Sequence, residues 1–292
     1  MSKITDHNHS KLWVLVLGVL LFPCALLSLA QDPPEKPEVV AEQKNVLAEL
    51  QKSLIKAFGG KEALEKFNNR RVLATIVIPD AAIEAKHVGF VAKDGTMRES
   101  MTIEGYGDFE QGVLGDVAWA QDPINGARIL AGREKQQLLR SSHLQPLLWL
   151  DKDFVSAVKI GTEKVGAVDC DIYSLQSTMG TTEKYWVALE TDFLIKIAMT
   201  AESIMGKVPM TVRMGDYKQF QGIWYPHDLE IVQGIQTMQM TINEVKYDVE
   251  PESVEQTIPD QVNAILERKK AAEKKVEEKA GEKVEDASAG GR

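Results

Sequence analysis

Apolar residues recur at helical spacing from Glu38 to Phe58, where Val39, Val40, Val46, Leu47, Leu50, Leu54, Ile55 and Phe58 form one stripe. Gly59-Gly60 stops that helix, and Lys61 to Phe67 reads as a short second one. From Arg71 the period becomes two. Strands are predicted over 72–78, 83–91, 97–103 and 112–120, with a tight turn at Lys93-Asp94-Gly95-Thr96 and another at Asn125-Gly126. Between Gly132 and Phe154 the spacing of Leu138, Leu139, Leu144, Leu147, Leu148 and Trp149 is helical again. Strand patterns then resume over 157–160, 168–177, 183–189, 194–201, 208–220, 224–233 and 238–247.

Consecutive strands joined by short turns imply an antiparallel meander and exclude βαβ units. A sheet of about ten strands curls, and one amphipathic helix cannot cover it as a flat layer. The expected fold is therefore α+β, mainly antiparallel β: a strongly curved half-barrel sheet closed by helices around an apolar cavity.

Two late strands show their faces plainly. Val208, Met210, Val212 and Met214 share one side, and Met238, Met240 and Ile242 share a side of the second. Apart from Met1, every methionine lies between Met97 and Met240. Methionine is flexible and polarizable, so such a face accepts irregular apolar shapes, either a ligand or its own core. The candidate cavity residues are Met97, Met101, Trp119, Trp186, Met210, Val212, Met214, Trp224, Met238 and Met240.

The ends differ from this body. Met1 to Lys11 is polar and weakly basic, Leu12 to Leu27 is mostly apolar, and Ser28-Leu29-Ala30 is a small-x-small site. This is the layout of a secretory signal cleaved after Ala30, with a retained anchor over 12–30 as the alternative. The expected division is a signal peptide over 1–30, a flexible proline-rich lead over 31–44, the half-barrel domain over 45–262, and a charged, largely disordered tail over 263–292. The chain of 292 residues carries a net charge of -9. Both ends are slightly basic, so the body is more acidic still; it would repel phosphate backbones, which argues against nucleic acid as a partner.

The chain carries little recognisable catalytic chemistry. Cys24 leaves with the signal, and Cys170 lies in an alternating run, Val168 to Ile172, that reads as a strand core. His87, His143 and His227 have no metal-pair spacing and read as surface or edge residues; Ser141-Ser142-His143 is too local to be a triad; no phosphate loop or nucleophile elbow occurs. No catalytic residue, metal site or cofactor is assigned.

Several strings then carry a resemblance. Ala57-Phe58-Gly59-Gly60-Lys61-Glu62-Ala63-Leu64 is similar to the "ALGG-x-EAL" helix end of exported proteins of the outer-membrane lipoprotein-sorting type. Gly115 to Trp119, Leu130 to Glu134 and Val165 to Leu175 resemble that family's "G-x-x-x-W", "L-x-G-x-E" and "V-x-G-x-x-x-Y-x-L" strings. Gly215-Asp216-Tyr217-Lys218-Gln219-Phe220-Gln221-Gly222-Ile223-Trp224-Tyr225-Pro226 is close to its "DY-x-x-x-x-G-I-x-x-P". The resemblance runs from about Asn45 to Ile258 and names the LolA/LolB-like family. It implies a half-barrel around an apolar cavity, and a non-enzymatic carrier of lipoprotein acyl chains in the periplasm or cell envelope, with envelope membrane proteins as partners. A structural or sensor domain with a self-filled cavity, or a hydrolase with a dispersed site, are the alternatives.

Overall fold

The computed structural model describes residues 37–203, 206–250 and 257–289. The proposed signal segment and residues 31–36 lie outside them. Thirteen strands form one antiparallel sheet that does not close: β1 (Asn69–Ile78), β2 (Ile83–Ala92), β3 (Met97–Ile103), β4 (Gly107–Leu114), β5 (Val117–Asp122), β6 (Gly126–Ile129), β7 (Phe154–Val165), β8 (Val168–Ser177), β9 (Thr182–Ala188), β10 (Leu194–Ser203), β11 (Gly206–Phe220), β12 (Ile223–Gln233) and β13 (Gln236–Tyr247). The strand order is β6-β5-β4-β3-β2-β1-β13-β12-β11-β10-β9-β8-β7. The fold class read from the periodicity is the one observed.

Each neighbouring pair is a sequential hairpin except the central one, where β1 pairs with β13 from Arg70↔Tyr247 to Val77↔Gln239. The two edges, β6 and β7, are therefore consecutive in the chain, joined only by residues 130–153. That insert holds helix α3 (Gly132–Ser141), a 3₁₀ turn (Pro146–Trp149) and the single turn α4 (Leu150–Asp153). The run 112–120 expected as one strand is two, β4 and β5, because the positive φ of Gly115 reverses the chain there.

The two long helices arise differently. Helix α1 (Pro37–Ala57) starts inside the segment assigned to a flexible lead, with proline at its first position, where no backbone N–H is needed. Its residues Leu47, Leu50 and Leu54 pack with Phe154, Ala157, Leu175, Tyr185, Val187 and Leu194 of the β7–β10 strands. Helix α2 (Lys61–Glu65) buries Leu64, which joins Phe67, Val72, Ile242 and Val245. Helix α5 (Asp260–Ala289) occupies most of the tail expected to be disordered. Val262 is fully buried and anchors its first turn, and the Ala, Lys and Glu that follow are strong helix formers that need no partner face.

The glycine-rich strings meet in space. Gly60 N–H donates to Ile55 O at 2.9 Å, a Schellman-type helix end, and Gly59 has φ +130. The β11–β12 turn, Gln221-Gly222, sits against it: Trp224 N–H donates to Phe58 O at 3.0 Å, and a Cβ on Gly59 would lie 2.5 Å from Gly222 O. Around this contact Phe58, Phe193, Tyr217 and Trp224 pack their rings, with Phe193 stacked on Tyr217 at 4.5 Å. The Tyr217 hydroxyl donates to Leu194 O, and burial pushes its pKa well above the ordinary phenol value.

This contact yields a graded expectation. Gly59→Ala adds a backbone clash to an unfavourable φ and should cost about 3 kcal/mol. Gly60→Ala, with φ +86 but only the flexible Glu62 carboxylate near the added carbon, at 3.7 Å, should cost less, about 1–2 kcal/mol. Equal midpoint shifts in urea unfolding of the two variants would remove the special role of the Gly59–Gly222 approach.

Candidate functional site

Cross-strand register sorts the expected cavity residues by face, because directly paired residues share a side of the sheet. One row runs Met214–Leu229–Met240–Ile76–Ala85–Ile103, and a second runs Tyr185–Ile197–Val212–Ile231–Met238. These rows form the inner face, against which α1 and the insert pack. Met210 pairs with Met199 on the same face. Met210, Val212, Met214 and Met240 are half-buried there, whereas Met238 and Met101 are closed into a cluster with Ile76, Ile103 and Phe109. Met97 is buried in a further cluster with Val91, Val113, Leu130 and Leu138.

Three tryptophans stand apart from this face. Trp119 belongs to the outer row Trp119–Gly112–Arg98–Phe90. It is 2% exposed, lies on Gly112 and has the Arg98 guanidinium 5.7 Å from its ring centre. Trp186 is also on the outer side, donating to Glu163 Oε2 at 2.8 Å with Lys196 Nζ 3.9 Å over its ring. Trp224 serves the aromatic cluster at the β11–β12 turn. The even spread of large aromatics in the sequence therefore divides between both faces, and alternation within each strand was the signal that separates them. His87 departs from the surface or edge placement expected of it: the register sets it on the inner side between Ala74 and Met101, with Nδ1 unpartnered.

A cleft of about 740 Å³ opens elsewhere, between α2, the β2–β3 turn and the insert. Its wall is largely apolar: Leu64, Phe67, Leu139, Leu144, Leu148 and Trp149. Leu148, Leu229 and Met240 each pack against the buried cluster of Leu64, Phe67, Val72 and Ile242, so the cleft wall and one methionine row rest on the same core. Trp149 is 44% exposed and stacks on His143 at 4.3 Å with an interplanar angle of 6°.

Polar ties fix the insert that builds this wall. Gln51 of α1 donates to Leu147 O at 3.0 Å, and Arg70 of β1 donates to Leu144 O at 3.1 Å. Arg140 makes a bidentate pair with Glu183 of β9 at 2.6 and 2.7 Å and lies 4.8 Å over the Phe154 ring. Burial lowers the Arg140 pKa, but the hydrogen bond and charge of Glu183 outweigh it, leaving the guanidinium above its usual value. The neighbouring Tyr185 phenol is pushed far up by burial and then by Glu183.

Little acid–base machinery faces the cleft. Ser142 Oγ donates to Leu139 O at 2.7 Å, and His143 Nε2 lies 3.5 Å from Asp153 Oδ1, so the adjacent Ser142 and His143 are each engaged elsewhere. Among the described residues, Asp216, His227 and Asp228 bring ligand-capable atoms within 4.8 Å of one another. Lys218 Nζ, 3.1 Å from Asp216, shares in that exposed network.

No protein-family model and no curated protein sequence matches the chain. Solved structures resembling it include an outer-membrane lipoprotein-sorting protein domain from Vibrio parahaemolyticus, at 10% identity and TM-score 0.46, covering 73% of this chain and 96% of that one. A DUF1329 family protein from Desulfovibrio piger is similar at 11% identity and TM-score 0.49, covering 74% and 99%. A LolA superfamily protein from Nitrosomonas europaea is similar at 12% identity and TM-score 0.46, covering 72% and 96%. At these identities no residue role is carried over.

The Arg140–Glu183 pair has a measurable consequence. Glu183 is 3% exposed, so Arg140→Leu leaves a buried carboxylate with no cation, only the Tyr185 hydroxyl at 3.4 Å, and should cost about 3–5 kcal/mol in urea unfolding. Adding Glu183→Leu should restore most of that loss; a double variant as unstable as the single one would show that the pair is not the source.

Proposed function

We propose that the chain is an exported, non-enzymatic carrier or binding protein for acyl chains in the periplasm or cell envelope. The observation that carries this reading is the apolar cleft beside the insert, whose volume falls within the ~300–1,000 Å³ of small-molecule sites. Removing an acyl chain from water contributes roughly 0.8 kcal/mol per methylene. The half-buried residues Met210, Val212, Met214 and Met240 on the inner face would add apolar surface, where the unbranched methionines re-pack around an irregular chain. Met97, Met101 and Met238 are closed core residues and contribute support instead.

The acidic body and the absence of a basic stripe argue against nucleic acid as a partner. Among the described residues no helix is long and apolar enough to cross a membrane. The export reading rests on the sequence of residues 1–30. One observation favours a different role, that of an envelope structural or sensor domain: the sheet interior holds four packed clusters of its own side chains.

Native mass spectrometry of the exported protein, with lipid extraction, separates these readings. The carrier reading expects co-purified acyl lipid that is largely lost in Leu139→Glu and Leu148→Ser, two half-buried wall positions, with cooperative unfolding retained. A protein that is always empty and takes up no added lipid overturns it.

A further inference from the structure

The methionines do not all serve the core. Met97, Met101, Met214, Met238 and Met240 pack in or against the four buried clusters. Met179, Met199 and Met210 belong to none of these clusters, and each is half-buried. The three come together where β8 turns into β9. Met199 of β10 stands directly opposite Met210 of β11, which puts their Cβ atoms about 5 Å apart. Met179, in the β8–β9 turn, lines a small cavity with Met199 and with Arg133 and Gln137 of helix α3. Its volume is about 10 Å³, room for one water-sized sphere.

The other groups on this wall decide what could occupy it. Among the described residues its one carboxylate is Glu183, which Arg140 holds at 2.6 and 2.7 Å. Thr181 Oγ1 shares a hydrogen bond with Ser177 Oγ at 2.7 Å. Calcium and magnesium are held by carboxylate and carbonyl oxygens, and a single, already neutralised carboxylate does not make such a site. Thioether sulfurs are uncharged, soft donors that select copper(I) over hard divalent ions. A monovalent ion also brings less uncompensated charge into a wall whose carboxylate is taken. The unbranched methionine side chain is flexible enough to swing its sulfur to a shared point.

We infer that Met179, Met199 and Met210 form a site for one soft monovalent cation, copper(I) or its chemical analogue silver(I), beside helix α3. The inference is independent of the carrier reading, because leucine at these positions keeps the apolar surface and removes only the donor.

The test titrates copper(I), kept reduced with ascorbate, into the exported chain against a chromophoric chelator. One ion should bind per chain. Met199→Leu and Met210→Leu are exchanges of similar volume that a half-buried position tolerates; each should weaken binding about tenfold or more, and the double variant should abolish it. Met97→Leu, in a closed cluster, should leave binding as it is. In the wild-type protein the methyl resonances of Met179, Met199 and Met210 should shift together on adding silver(I), a readout that needs no variant. Thioethers carry no proton to displace, so affinity should hold from about pH 5 to pH 8, whereas a site on His227 would lose its metal to protons as the pH falls. A wild-type protein that binds neither ion, full affinity in the double variant, methyl resonances that ignore silver(I), or binding lost on acidification and in His227→Gln each overturns the inference.

Discussion

The pairing of the first strand with the last organises this molecule. β1 and β13 join segments about 170 residues apart at the centre of the sheet, from Arg70↔Tyr247 onward. Every other strand pair is a local hairpin, cheap in loop-closure entropy, whereas this one fixes the ends of a long chain and gains its stability only when both halves of the meander are in place. Side-chain links reinforce the seam: Asn69 Nδ2 donates to Val249 O at 3.0 Å, and Arg71 meets Glu244 at 3.1 Å. Because the ends meet in the middle, the free edges must be β6 and β7, and the chain between them must cross the opening.

That crossing segment makes the cleft. Residues 130–153 cannot extend the sheet, so they lie over the inner face as short helices, tied by Gln51, Arg70 and Arg140 to three separate parts of the fold. A segment held at several points but not packed into the sheet leaves room beside it, and Leu148 and Trp149 line that room. The same constraint places a buried ion pair, Arg140–Glu183, where its partners are rigid enough to offset the desolvation of both charges.

Much of the fold was legible in the periodicity. The stripe of Leu47, Leu50 and Leu54 marked the helix on the inner face, and alternation in 208–214 and 238–242 marked strands with a methionine side. The site was less legible. Trp119 and Trp186 fall on the outer face, as counting by twos within their own strands would have indicated, yet composition alone grouped them with the methionines. The cleft residues Leu139, Leu144, Leu148 and Trp149 were visible only as an amphipathic run, because nothing local records that Leu64 and Phe67, 72 to 85 residues earlier, line the same cleft.

The sequence by itself determined most of the local alphabet: the stripe of the helix before Gly59-Gly60, the alternation of most strands, the turn at Gln221-Gly222, and that the body is acidic. These depend on neighbours within a few residues, through backbone conformation and side-chain period. Tertiary structure alone decided that Gly59 and Gly222 touch, that the sheet edges are β6 and β7, and that Arg140 meets the buried Glu183. Each of these depends on contacts between distant segments, whose choice among many possible partners is made by the packing of the whole chain.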